Sequence, residues 1–121
     1  MMTRFAFDTA GPFARAMAAL AAGPAYVDLT PDRLRIRLGV LFRADVPRPA
    51  VAAAERNHDP VTGWGAHGWG GRWLVNTSSR NLVKLVIEPR QAARVLGLRV
   101  PLSGLRMSLA DPEGFLAELG R

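Results

Sequence analysis

The chain has 121 residues, 49% of them hydrophobic, which is enough for one domain around one core and too apolar for a disordered chain. It has no cysteine, which excludes a disulfide framework, thiolate metal sites and a cysteine nucleophile, and suits a reducing cytoplasm. The net charge of +6 comes from 16 basic and 10 acidic side chains, and every basic residue but Lys84 is arginine. Arginine holds phosphate bidentately, so nucleic acid and anionic lipid enter as partners beside the plainer reading of a solubilising surface.

Residues 1–24 read as an N-terminal arm with a short helix. Phe13, Met17 and Leu20 fall on one helical face, Pro12 suits the first turn, and Gly23-Pro24 stops it. Only Arg15 charges the opposite face, too little for a strong membrane-surface helix, so packing against the domain or a second copy is expected. The apolar run Ala16–Ala22 is far short of the roughly 20 residues of a spanning helix. Asp8 and Arg15 interrupt the place of a signal peptide's apolar region, so a cytoplasmic protein is expected, with a peripheral membrane role left open.

From Ala25 the hydrophobic period becomes two. Tyr26-Val27-Asp28-Leu29, the turn Thr30-Pro31-Asp32-Arg33 and Leu34-Arg35-Ile36-Arg37-Leu38 predict a hairpin. With Thr30 opposite Arg33, Val27 meets Ile36 and Leu29 meets Leu34 on the apolar face, while Asp28 faces Arg35 and Tyr26 faces Arg37. Gly39 bends the chain into a strand at Val40–Val46, which Pro47 and Pro49 end. Residues 50–56 read either as helix or as a meander strand. Asn57–Pro60 reads as a loop.

The stretch Gly63-Trp64-Gly65-Ala66-His67-Gly68 matches G-x-G-x-x-G. A dinucleotide site needs a helix to begin within that motif. Here Trp69-Gly70-Gly71 reads as a turn and Arg72–Thr77 as a strand, so a hairpin is predicted instead. Its glycines permit positive φ and let indole rings lie close over the backbone. Trp64, His67, Trp69 and Trp73 form a structural aromatic hairpin in this reading, with the tryptophans packed inside. Glu88, twenty residues after Gly68, stands where a ribose-binding acid would be sought, but on an antiparallel strand.

After a turn at Ser78–Asn81, Leu82–Glu88 reads as a strand ended by Pro89. Residues 91–96 read as a helical turn, irregular chain or strand, closed by Gly97. Leu105–Leu109 alternates as a last strand. Asp111 caps a terminal helix with Pro112 at its first position and Phe115, Leu116 and Leu119 on its apolar face.

Two blocks carry a family resemblance. Gly63–Asn76, GWGAHGWGGRWLVN, and Ser108–Leu116, SLADPEGFL, resemble blocks of small uncharacterised actinobacterial proteins, similar in turn to bacterial pleckstrin-homology-like domains. The resemblance covers residues 25–121 in layout. It implies a seven-stranded antiparallel sandwich or partly open barrel closed by the C-terminal helix. Gly70 stands where the family has a larger polar residue, which loosens the turn. The resemblance assigns no catalytic or ligand residue.

Candidate chemistry is sparse. His58 and His67 lack the three or four converging ligands of a metal site. His67 with Ser78 or Ser79 and Asp59 forms a hydrolase set only on paper, because no nucleophile elbow surrounds either serine. Asn76-Thr77-Ser78 matches a glycosylation acceptor without a secretion signal to support it. The sharper pattern is Arg33, Arg35 and Arg37, on one face of a strand about 6.6 Å apart. Joined by Lys84 or Arg72 from another strand, they would make an anion patch, partly neutralised by Asp28. The plain alternative is a solvated strand face. The resemblance adds that pleckstrin-homology-like domains bind lipid headgroups through basic residues near early-strand loops. The sequence therefore leads to a non-catalytic protein-interaction or self-association module, with an anionic lipid or phosphate binder as the alternative. No cofactor is expected, and packed indoles argue against nucleic acid.

Overall fold

The structure, a computed structural model, describes residues 2–9, 23–59, 65–78 and 80–120. The helix expected around Phe13, Met17 and Leu20 lies outside them. In chain order the strands are β1 (Thr3–Phe5), β2 (Ala25–Leu29), β3 (Arg33–Leu38), β4 (Phe42–Pro47), β5 (Val51–Asn57), β6 (Gly65–Trp69), β7 (Arg72–Asn76), β8 (Leu82–Val95) and β9 (Leu98–Ser108). A single helix among the described residues, α1 (Pro112–Leu119), follows. The fold is mainly β, as expected. The strands form one open sheet in the order β1-β2-β3-β4-β8-β9-β7-β6, with β5 paired to β8.

Local sequence accounts for the first hairpin. β2 and β3 pair Val27 with Ile36, Leu29 with Leu34, Asp28 with Arg35 and Tyr26 with Arg37, the expected register. Thr30 closes the turn: its hydroxyl accepts from the Arg33 amide at 2.8 Å, and its own amide donates to the Arg33 carbonyl at 3.0 Å. Gly39, at φ 52°, turns the chain into β4. Leu34, Ile36, Leu38, Phe42, Ala44 and Val46 all enter the core, so the two-residue period buries one face of two consecutive strands.

The long strand β8 organises the rest. Its first half pairs with β5 and its second half with β4, so β4 and β5 run in succession along the same edge. A short 3-10 turn, Arg48–Ala50, joins them after Pro47. On its other side β8 pairs with β9 from Leu82 to Val95, with a register shift between Val86 and Gln91. Residues 51–57 and 91–95 are thus strand, which resolves both ambiguous segments.

Three expectations are corrected here. The described sheet has nine strands rather than seven. It is not wholly antiparallel, because β7 lies parallel to β9, pairing Arg72 with Gly104 through Val75 with Met107. Pro89 and the residues after it do not end the strand. Pro89 sits in the register break, where a missing N–H costs no ladder bond, and β8 continues beyond it. The last strand accordingly begins at Leu98, not Leu105.

The segment read as an arm opens with β1, which pairs Phe5 with Val27 and puts Phe5 into the core; Phe7, bridged to Leu109 beyond the strand, is buried there too. The C-terminal helix is as expected. The Asp111 carboxylate accepts from the Gly114 amide at 3.0 Å, Pro112 opens the helix, and Gly120 ends it at φ 72°. Phe115 meets Phe5 edge-on at 5.3 Å, which locks α1 onto the sheet through the first strand.

A buried polar clasp ties the chain's early and late segments. Ser78 Oγ donates to Asp8 Oδ2 at 2.7 Å, Thr77 Oγ1 donates to the Asp8 carbonyl at 2.7 Å, and the Asp8 amide donates to the Ser108 carbonyl at 3.0 Å. Ser78 is thereby engaged as a structural group. No helix among the described residues is long and apolar enough to cross a membrane.

Candidate anion-binding face

β6 and β7 form a hairpin around Gly70 and Gly71, at φ 62° and 84°, the two positive values of the type I′ turn. A strand, not a helix, follows Gly68, so the backbone offers no helix N-terminus to a pyrophosphate. Gly63 and Trp64 lie outside the described residues. A Cβ on Gly68 would lie 2.6 Å from Trp73 Cε3, so this glycine lets the indole rest on the backbone. Trp73 is half-buried, packs beside Phe42 at 6.4 Å, and donates from Nε1 to the Pro101 carbonyl at 3.0 Å.

Trp69 corrects the expectation of inward-packed indoles, for it is 90% exposed. It stands opposite Arg72 on the outer face of the hairpin. Trp73 is thus withheld from stacking on a ligand, whereas the Trp69 ring is open to solvent. The backbone of His67 pairs with Leu74; its side chain is outside the described set. His58 and Asp59 are exposed.

The strand β3 presents Arg33, Arg35 and Arg37 on one face, as expected, but their neighbours differ. Asp45 of β4, not Asp28, balances them: Arg33 Nε lies 2.8 Å and Arg35 Nε 3.4 Å from its carboxylate. Asp28 takes two hydrogen bonds from Arg4, at 2.8 and 2.9 Å. Those bonds hold the Arg4 guanidinium above its ordinary pKa, and it also stacks 4.0 Å from the Tyr26 ring centre. Lys84 lies elsewhere, on the first half of β8 between Glu55 and Arg106. With Trp69, Arg72 and Arg106 it lines a hollow of about 740 Å³ whose charge is offset by Asp59 and Glu88.

The structure assembles a different basic group around Arg37. Register places Arg37 of β3 opposite Arg43 of β4, Arg43 opposite Arg94 of β8, and Arg94 opposite Arg99 of β9. Four arginines thus cross four adjacent strands in a single row. At strand spacings of about 4.8 Å the row is roughly 14 Å long. They line an open hollow of about 430 Å³ in which Asp45 is the only acid among the described residues. Arg90 lines the adjoining hollow, which shares Asp45 and Arg99 with the first.

None of the four joins an ion pair among the described residues. Arg37 donates to the Ile36 and Ala44 carbonyls, and Arg94 to the Gly97 carbonyl. Those contacts orient Arg37 and Arg94 through neutral carbonyls and so remove none of the row's charge. Sequence reasoning found one member, Arg37, from its alternation on β3. The other three were reachable only through the pairing of β4, β8 and β9.

Comparison with protein-family models, with curated proteins and with solved structures finds no match to the chain.

Proposed function

We propose that the chain is a non-catalytic interaction module that binds a phosphate-bearing polyanion through Arg37, Arg43, Arg94 and Arg99. The row of like charges in direct register carries this reading. Like charges directly opposite one another destabilise a sheet, and a bound polyanion offsets that repulsion with charge-assisted bonds. A solvated face needs no such alignment. The pleckstrin-homology-like layout has support in the open, mostly antiparallel sheet crossed by a C-terminal helix. The nine strands and the parallel β7–β9 pair count against it, and no residue role is taken from it.

Titration calorimetry with inorganic tripolyphosphate at low salt tests the proposal. The wild-type chain binds, an Arg43→Gln/Arg94→Gln double variant loses binding, and Lys84→Gln retains it. Equal affinity in the double variant and the wild type overturns the reading, provided circular dichroism shows both folded.

Self-association is a second reading, favoured by one observation. β6 ends the described sheet and carries the 90% exposed Trp69. An edge unpaired among the described residues, with an exposed indole, is a ready pairing surface for a second copy. Sedimentation equilibrium tests it: a dimer that dissociates on Trp69→Ser supports self-pairing, and a strict monomer removes it.

A further inference from the structure

The arginine row lies immediately behind two hairpin tips. The first tip reads Arg37-Leu38-Gly39-Val40-Leu41-Phe42-Arg43 and the second Arg94-Val95-Leu96-Gly97-Leu98-Arg99. Both are acid-free apolar turns bracketed by two members of the row. The tips are neighbours, since the Leu96 amide donates to the Leu41 carbonyl at 3.2 Å. They expose large apolar side chains: Val40 is 58% exposed, Leu96 64% and Leu98 72%. Among the described residues only Met2 and Trp69 are comparable, and neither belongs to these turns.

We infer that this end of the sheet docks on an anionic lipid bilayer, with Val40, Leu96 and Leu98 entering the interface and the arginine row meeting the phosphates. The inference rests on the polyanion reading above and names its source as a membrane surface. The geometry sets two depths. Each arginine stands two or three residues from the tip of its turn, roughly 6.6–10 Å of extended chain. Apolar groups at a bilayer interface sit about 5–10 Å into the headgroup and acyl boundary. Tips at that depth bring the guanidinium row to the level of the phosphates, and the arginine stems extend its reach. A soluble polyanion would use the row and leave the tips in water. An acidic protein surface would have to supply apolar pockets for three separate side chains.

Absence of native cysteine makes the test clean. A Leu96→Cys variant is labelled with an environment-sensitive fluorophore and mixed with vesicles of phosphatidylcholine alone or with 30% phosphatidylglycerol, or with tripolyphosphate. The label blue-shifts on the anionic vesicles and stays unchanged with tripolyphosphate and neutral vesicles. In vesicle sedimentation, Leu96→Ser/Leu98→Ser lowers partitioning by at least about tenfold, the scale expected from two buried leucines, while tripolyphosphate affinity is unaltered. Both positions are exposed, so folding is preserved, and circular dichroism checks it. Unshifted label on sedimented protein, or full partitioning by the double serine variant, overturns the membrane inference. Tripolyphosphate binding without vesicle binding also overturns it and leaves the polyanion reading standing. Loss of both in the wild-type chain removes the two together.

Discussion

Arg43 of β4 lies directly opposite Arg94 of β8, the middle of the three residue pairs that join these strands. The contact between them is therefore made at the seam that joins the β2–β4 meander to the β8–β9 hairpin. Opposed residues sit about 4.5–5.5 Å apart at Cβ, and like charges there act against pairing. Replacing one of them removes repulsion at a structural joint. Arg94→Gln is expected to stabilise the fold by about 0.2–1 kcal/mol in urea melts while weakening tripolyphosphate binding. Added salt screens the same repulsion, so the wild type gains more from 0.5 M sodium chloride than the variant does. A variant that is less stable than wild type contradicts the assignment of strain to this pair.

Gly68 and Trp73 provide a test of the aromatic hairpin. An added Cβ at position 68 meets the indole and the Arg72 carbonyl, the latter at 2.5 Å. The indole is held by Phe42 and by its bond to Pro101, so it has little freedom to move aside. Gly68→Ala is expected to cost about 1–3 kcal/mol, the scale of overpacking. Gly70→Asn is the matched control. Position 70 has a positive φ but open space around it, and asparagine tolerates that conformation. Chemical melts of the two variants distinguish a packing requirement from a turn requirement.

The first hairpin and the last helix are the parts most legible in the sequence. The β2–β3 register followed from alternation on both strands and a turn whose chemistry fixed the offset. The Asp111-Pro112 start of α1 followed from capping chemistry. Both depend on neighbours in the chain. β8 and β9 were harder because Pro89 and Pro101 look like strand ends, and only the pairing reveals that one sits in a register break and the other offers its carbonyl to Trp73. Trp69 departs from the expected burial because size alone suggests a core residue, whereas its position opposite exposed Arg72 puts it outside. The arginine row needed three long-range registers at once. Yet two acid-free turns, each bracketed by arginines, were visible in the sequence as a repeated pattern.

Asp45 offers the sharpest functional handle. It lies opposite Arg35, binds Arg33 and Arg35, and is the only acid among the described residues that line the hollow with the arginine row. Its carboxylate is about two-fifths exposed, so its ion pairs contribute little to folding. Its main electrostatic effect is on what approaches Arg37, Arg43, Arg94 and Arg99. Asp45→Asn keeps the side-chain shape and removes one negative charge within a Debye length of the row. Tripolyphosphate affinity is expected to rise about three- to tenfold at 50 mM salt, with the gain shrinking as salt increases, and stability is expected to change by less than about 0.5 kcal/mol. The opposite sign, weaker binding on removal of the carboxylate, would mean that Asp45 holds Arg33 and Arg35 in a binding posture. The anion site would then centre on β3, where alternation alone first pointed, rather than on the row across the sheet.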